Sequence, residues 1–203
     1  MARYDRKDHY HQRAKREGFR SRAAYKLEEI QRAQRLLRPG QRVADLGCWP
    51  GGWLQVAAAA VGPRGRVVGV DLAAIDPPLD RENVIAICGD LTEPTVLERV
   101  LEALGGSADV VLCDAAPKLT GIRATDTARE AALLEAVDAA LPALLKPGGN
   151  LLLKILEGPD AQQVERRIRG RFESARGLKP GATRKGSSER YLLARGYRGS
   201  RSD

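Results

Sequence analysis

Asp45-Leu46-Gly47-Cys48-Trp49-Pro50-Gly51-Gly52-Trp53 joins a short apolar run, Arg42–Leu46, to a stretch of helical character at 54–61. A glycine-rich turn between a strand and a helix lets the backbone bend sharply and approach a ligand closely. On either side of it, strand-like and helix-like segments alternate. The apolar, β-branched runs 66–70 and 84–87 end in Asp71 and in Cys88-Gly89-Asp90. Residues 93–104 carry Val96, Leu97, Val100, Leu101 and Leu104 at helical spacing. A fourth strand is predicted at 109–113. A long Ala/Leu helix follows at 127–145, stopped by Lys146-Pro147-Gly148-Gly149. Then come a fifth strand at 150–155, a helix near 161–171 and a last strand at 191–194. Near-continuous apolar strands such as Val110-Val111-Leu112 fit burial on both faces. The alternation predicts an α/β fold, a Rossmann-like, mostly parallel sheet with helices on both faces.

A chain of 203 residues is long enough for one domain with a sizeable core. Aromatics make up only 4%, so that core must be aliphatic. No apolar stretch approaches the roughly 20 residues of a membrane span, and the N-terminus lacks an apolar leader segment. Cys48, Cys88 and Cys113 have no metal-site or disulfide spacing and read as reduced thiols of a cytoplasmic protein. His9 and His11 have no accompanying ligands, so no metal is expected.

Charge is divided unevenly along the chain. Residues 1–38 hold 12 Lys/Arg against 5 Asp/Glu, and residues 166–203 hold 12 against 3. The middle holds 10 against 18, so an acidic unit carries two strongly basic ends within a net charge of +8. Such asymmetry points to a polyanionic partner, usually nucleic acid. Residues 21–37 read as an amphipathic helix with Ser21 as its N-cap and Leu27, Ile30 and Leu37 docked on the core. Residues 1–17 read as a basic, flexible arm, 18–197 as the single domain, and 198–203 as a flexible tail.

The acids say what the loop at 45–53 holds. Asp71 stands 26 positions after Asp45 at the end of the second predicted strand, placed to bind the two hydroxyls of a ribose. Asp90 ends the third and suits an adenine amino group. A pyrophosphate site favours G-x-G-x-x-G, whereas this loop has an acid first, then Gly, then Pro-Gly-Gly. S-adenosylmethionine has no phosphate and carries a sulfonium and an amino-acid end, beside which Asp45 is useful rather than repulsive. This favours a methyltransferase over a dinucleotide oxidoreductase.

Taken in order, the segments 18–30 (GFRSRAAYKLEEI), 45–53, 114–121 (DAAPKLTG), 152–158 (LLKILEG) and 187–197 (SSERYLLARGY) resemble the FtsJ (RrmJ/RlmE) family of RNA ribose 2'-O-methyltransferases. The resemblance covers roughly residues 15–197. It implies the class I methyltransferase fold with a seven-stranded sheet and S-adenosyl-L-methionine as cofactor. It also implies a catalytic tetrad at Lys26, Asp114, Lys154 and Glu189, with Lys154 as proton acceptor. Cofactor contacts are implied at Gly51, Trp53, Asp71, Asp90 and Asp114. The chain departs from the family's loop at Cys48 and Trp49, where small residues are usual.

The implied chemistry is in-line attack of a ribose hydroxyl on the sulfonium methyl, which needs a base but no metal. An ordinary lysine, with a pKa of about 10.4, is a poor base near neutrality. Burial and Lys26 would lower that value, while Asp114 and Glu189 would raise it. Lys154 would otherwise orient the hydroxyl while charged. The resemblance narrows the substrate to structured ribosomal RNA, a uridine of the 23S A-loop in the large subunit, met by a monomer. Transfer RNA or an mRNA cap, a non-catalytic assembly factor that binds RNA, and a protein or small-molecule methyltransferase remain as alternatives.

Overall fold

The computed structural model describes residues 9–117, 120–156, 158–183 and 186–199. The elements run α1 (His9–Glu17), α2 (Ala24–Gln34), β1 (Arg42–Leu46), α3 (Gly52–Val61), β2 (Arg66–Asp71), β3 (Val84–Cys88) and α4 (Pro94–Leu104). They continue as β4 (Ala108–Cys113), α5 (Arg123–Leu144), β5 (Leu145–Ile155), α6 (Pro159–Gly170), β6 (Phe172–Leu178) and β7 (Arg190–Tyr197). The seven strands form one sheet in the order β3-β2-β1-β4-β5-β7-β6. Pairs from β3 to β5 are parallel, and β7 enters antiparallel between β5 and β6.

Strand alternation gives the sheet two apolar faces. On one, Leu46, Val111, Leu153 and Leu192 meet Val100 of α4, Leu134 and Leu141 of α5, and Ile168 of α6. On the other, Val43, Val110, Leu112 and Leu152 meet Leu27 and Ile30 of α2 and Leu54 and Ala57 of α3. Val110, Val111 and Leu112 are all fully buried, as continuous apolar strands require.

Four local expectations change. First, α2 begins at Ala24 with Ala23 as a cap that makes no side-chain bond, so Ser21 is not the N-cap. Ser21 instead closes a turn, its carbonyl accepting from Ala24 N–H, and its hydroxyl packs where a side chain on Gly52 would lie. Second, residues 9–17 of the arm expected to be flexible form α1, whose Ala14 packs with Tyr25 and Ala182. Third, Lys146-Pro147-Gly148-Gly149 does not end before a strand but lies within β5 as an irregularity. There two steps of β4 (Ala108 to Val110) span five of β5 (Leu145 to Asn150). Fourth, β6 has no counterpart in the sequence reading. Its segment, Phe-Glu-Ser-Ala-Arg-Gly-Leu, is largely exposed at the sheet edge and so shows no apolar alternation.

The loop after β1 is fixed from β2. Gly47 and Cys48 N–H both donate to the Val70 carbonyl, at 2.8 and 3.2 Å. Gly47 has φ +76°, and a Cβ there would lie 2.3 Å from the Ala115 Cβ. Gly47→Ala therefore meets left-handed strain and a clash together, about 2–5 kcal/mol. Thermal unfolding of that variant should show a midpoint roughly 5–15 °C below the parent.

Candidate active site

The carboxyl ends of β1, β2 and β4 and the segment after β3 open on a cavity of about 1010 Å³, backed by α5. This is where parallel sheets place ligands, and the size suits a nucleoside-sized group. Asp71, Asp90 and Asp114 all line it. One Asp71 oxygen accepts from Trp49 N–H and the other from Ala73 N–H, each at 2.9 Å. One Asp90 oxygen accepts from the backbone N–H and the hydroxyl of Thr92, each at 2.8 Å. Those bonds hold Asp90 below the usual carboxylate range. A carboxylate has about four acceptor positions, so both acids keep capacity for hydroxyl or amino donors.

Gly51 and Trp53 do not line this cavity. Gly51 is the N-cap of α3, with φ +106°, and its N–H is taken by the Cys48 carbonyl at 2.7 Å. Trp53 is buried, and its indole N–H donates to the Ala23 carbonyl at 2.9 Å, tying α3 to the start of α2. Trp49 does line the cavity and is 59% exposed.

Asp45 is only 1% exposed, and neither of its oxygens has a hydrogen-bond partner. Burial, then the charges of Asp114 and Asp71, push its pKa well above the usual range. An unpaired buried carboxylate two residues from the cavity wall is costly as it stands. A cationic ligand would relieve it, which is a chemical fit to a group bearing an ammonium and a sulfonium.

The four residues of the expected tetrad come together from four elements. Lys154 of β5 is 7% exposed and Lys26 of α2 is 9% exposed. Lys154 Nζ lies 3.2 Å from Asp114 Oδ1 and also donates to the Asp114 carbonyl. Lys26 Nζ lies 2.7 Å from Glu189 Oε1. One hydroxyl joins the two pairs: Tyr191 Oη donates to Asp114 Oδ1 at 2.6 Å and reaches Glu189 Oε1 at 3.4 Å. The Tyr191 ring lies 5.8 Å from Trp53 and 5.7 Å from Lys26 Nζ. Burial, then Asp114 and Glu189, push the Tyr191 pKa up, so it remains a donor.

Sequence reasoning placed Tyr191 only at a strand start. Its role follows from the β5–β7 register, which sets Lys154 opposite Tyr191. Buried Glu130 was missed as well. It accepts the Leu156 N–H at 2.9 Å and so fixes the chain just beyond Lys154. Arg190, next to Glu189, is held by both oxygens of Glu165 on α6.

Comparison with known proteins bears on the family and the fold. The model of the FtsJ-like methyltransferase family matches residues 19–197. The chain belongs to the FtsJ-like methyltransferase family. Two relatives named ribosomal RNA large subunit methyltransferase E show how far the family likeness extends. That of Methanosphaera stadtmanae is 41% identical over 197 residues, covering 96% of this chain and 95% of the relative. That of Pseudomonas aeruginosa PAO1 is 44% identical over 193 residues, covering 95% and 92%. A Plasmodium falciparum crystal structure described as a ribosomal RNA methyltransferase superposes with a TM-score of 0.77 at 26% identity, covering 90% of this chain and all of that one. Aeropyrum pernix fibrillarin, crystallised with natively bound S-adenosyl-L-methionine, shares the fold, with a TM-score of 0.61 at 18% identity over 86% of this chain and 74% of that one.

Two outcomes test the site of this FtsJ-like methyltransferase. Folded Asp45 holds a proton more tightly than unfolded Asp45, so stability declines as pH rises from the ordinary carboxylate range towards its raised value. In ligand-free protein, the unfolding midpoint of Asp45→Asn should therefore gain on the parent as pH rises; parallel pH curves would contradict the account. Tyr191→Phe keeps the ring and loses one hydrogen bond, so methyl transfer should slow by up to about tenfold with cofactor affinity unchanged.

Proposed function

We propose that this protein transfers a methyl group from S-adenosyl-L-methionine to a ribose 2'-hydroxyl of large-subunit ribosomal RNA, a uridine of the 23S A-loop. The observation that carries the reading is the meeting of two lysine–carboxylate pairs through Tyr191 at the edge of a cavity lined by Asp71, Asp90 and Asp114. Two relatives named as methyltransferases of large-subunit ribosomal RNA support the substrate. The fold shared with a fibrillarin that binds S-adenosyl-L-methionine supports the cofactor.

When bound, the cofactor supplies an electrophilic methyl on a neutral thioether leaving group. Asp71 would hold the cofactor's ribose hydroxyls and Asp90 its adenine amino group, while Asp45 would balance its positive charge. Gly51 and Trp53 act from behind the cavity, by shaping the loop and bracing α3 against α2. In its neutral form Lys154 Nζ would take the proton of the attacking 2'-hydroxyl and so become the ammonium that pairs with Asp114. The carbonyl and the carboxylate of Asp114 fix its direction. Lys26, paired with Glu189, holds the substrate ribose beside it.

The strongly basic ends, carrying Lys26 and Glu189, would place phosphate-binding charge around the reacting hydroxyl. The segment 179–185, just before Glu189, would add a grip on the phosphate backbone; its Arg184 and Lys185 lie outside the described residues. No helix among the described residues is long and apolar enough to cross a membrane. Action as a monomer on the cytoplasmic large subunit fits that reading.

Mapping of 2'-O-methyl groups in ribosomal RNA, with the protein present or absent, tests the assignment. The A-loop uridine should gain its methyl only with the protein. Lys154→Ala should lower the rate by about 10²–10⁴-fold while cofactor affinity is kept. Undiminished turnover in that variant would remove Lys154 from the role of base. Methylation of a transfer RNA or a cap in place of the A-loop would move the substrate.

A further inference from the structure

We propose that Arg38, Arg176 and Arg195 form a second RNA contact, a phosphate platform on the β6 side of the sheet, away from the reacting ribose. The proposal rests on the reading of RNA as substrate. The β6–β7 register sets Ser174 opposite Arg195 and Arg176 opposite Leu193. Alternation then puts Arg176, Arg195 and Leu193 on the sheet face that also carries Tyr191. Ser174, Arg176, Leu193 and Arg195 line a shallow depression of about 310 Å³ there.

A purely structural role accounts for part of this arrangement. Arg195 donates to the Gln34 carbonyl at 2.7 Å, and Arg176 donates to the Gln34 side-chain oxygen. Gln34 ends α2, where a cation complements the helix dipole. One cation would satisfy that end, yet two donate to Gln34, and the charge of Arg38, which follows α2 in the chain, also reaches Arg195. Burial, then the charges of Arg176 and Arg38, lower the Arg195 pKa, and among the described residues no carboxylate acts in the other direction. Among the described residues, none of the three arginines forms an ion pair. Like charges held together without a counter-charge lose their mutual repulsion when an anion binds between them.

The position fits one extended polyanion. Tyr191 and Arg195 are four positions apart on β7, about 13 Å along the strand. Lys26 and Gln34 are eight apart on α2, about 12 Å along the helix. Both measures run from the lysine–carboxylate site to the arginines, a distance that a few nucleotides span. Edge strand β6 leaves that route open to solvent. A phosphodiester backbone bound there would fix the RNA's direction across the site without reading bases.

The test measures anisotropy of a labelled 23S RNA fragment that spans the A-loop, titrated with full-length protein over a range of KCl. Arg38→Gln/Arg176→Gln changes two exposed side chains and leaves half-buried Arg195 in place. It should weaken binding on the order of tenfold and reduce the slope of log K against log[salt] by roughly 1.5. The Arg38→Lys/Arg176→Lys variant should keep the parent slope, because a phosphate contact needs charge rather than guanidinium shape. An unaltered unfolding midpoint shows that the Gln variant is folded. If the parent binds RNA with a steep salt dependence and the folded Gln variant keeps the same slope, the platform is overturned and the RNA reading stands. If the parent itself shows no salt-dependent RNA affinity, both fall.

Discussion

Lys154 faces Tyr191 because β7 enters the sheet antiparallel between β5 and β6. A parallel strand at that position would have its carboxyl end beside Lys154. Running the other way, β7 brings its first residues there, and the loop that precedes them carries Glu189. Tyr191 then stands between Asp114, at the end of β4, and Glu189. The links that run through Glu189 and Tyr191, from Lys26 on α2 to the Trp53 ring, depend on this one strand direction.

Burial decides how charges can be arranged around that strand. Lys26 and Lys154 are nearly removed from water, and each has a carboxylate at 2.7 or 3.2 Å. Such pairs add little net stability, but losing one partner leaves an uncompensated buried charge, about 3–5 kcal/mol. The pairs therefore fix positions more than they add stability. Asp45 is the contrast. Its carboxyl has no hydrogen-bond partner among the described residues, and burial holds its pKa well above the usual range.

Much of this was legible in the sequence, because apolar runs at strand length and acids at strand ends are local signals. The loop at 45–53, Asp71, Asp90 and the five parallel strands could be read from neighbours alone. β6 could not, since Glu173, Ser174 and Arg176 are exposed and no burial pattern marks an edge strand. The helix α1 was hidden for a related reason: it docks through Ala14 and through polar and aromatic contacts of Tyr10, Arg13 and Glu17 with Tyr25, which leave its composition polar. The tetrad was legible only by likeness to a family. Taken singly, Lys26 and Glu189 look like surface charges, and the contact between them joins residues 163 positions apart in sequence. Tyr191 and Glu130 gave no local signal, because their meaning lies in the register and in the packing of α5 on β5.

Cys48 and Trp49 show how a fold absorbs a departure from its family's pattern. Cys48 is buried on the α2–α3 face, and a Cβ on Gly69 of β2 would lie 2.6 Å from its sulfur. The missing side chain at Gly69 is the space in which the thiol sits. Trp49 takes the opposite course. Its N–H stays on Asp71 at 2.9 Å, so the backbone remains tied to an acid of the cavity, while the largely exposed indole lines the cavity. The extra volume thus falls in one case into a gap in the sheet and in the other into solvent. Neither displaces the acids, so the loop's chemistry depends on the placement of its backbone and carboxylates more than on the size of the residues between Gly47 and Pro50.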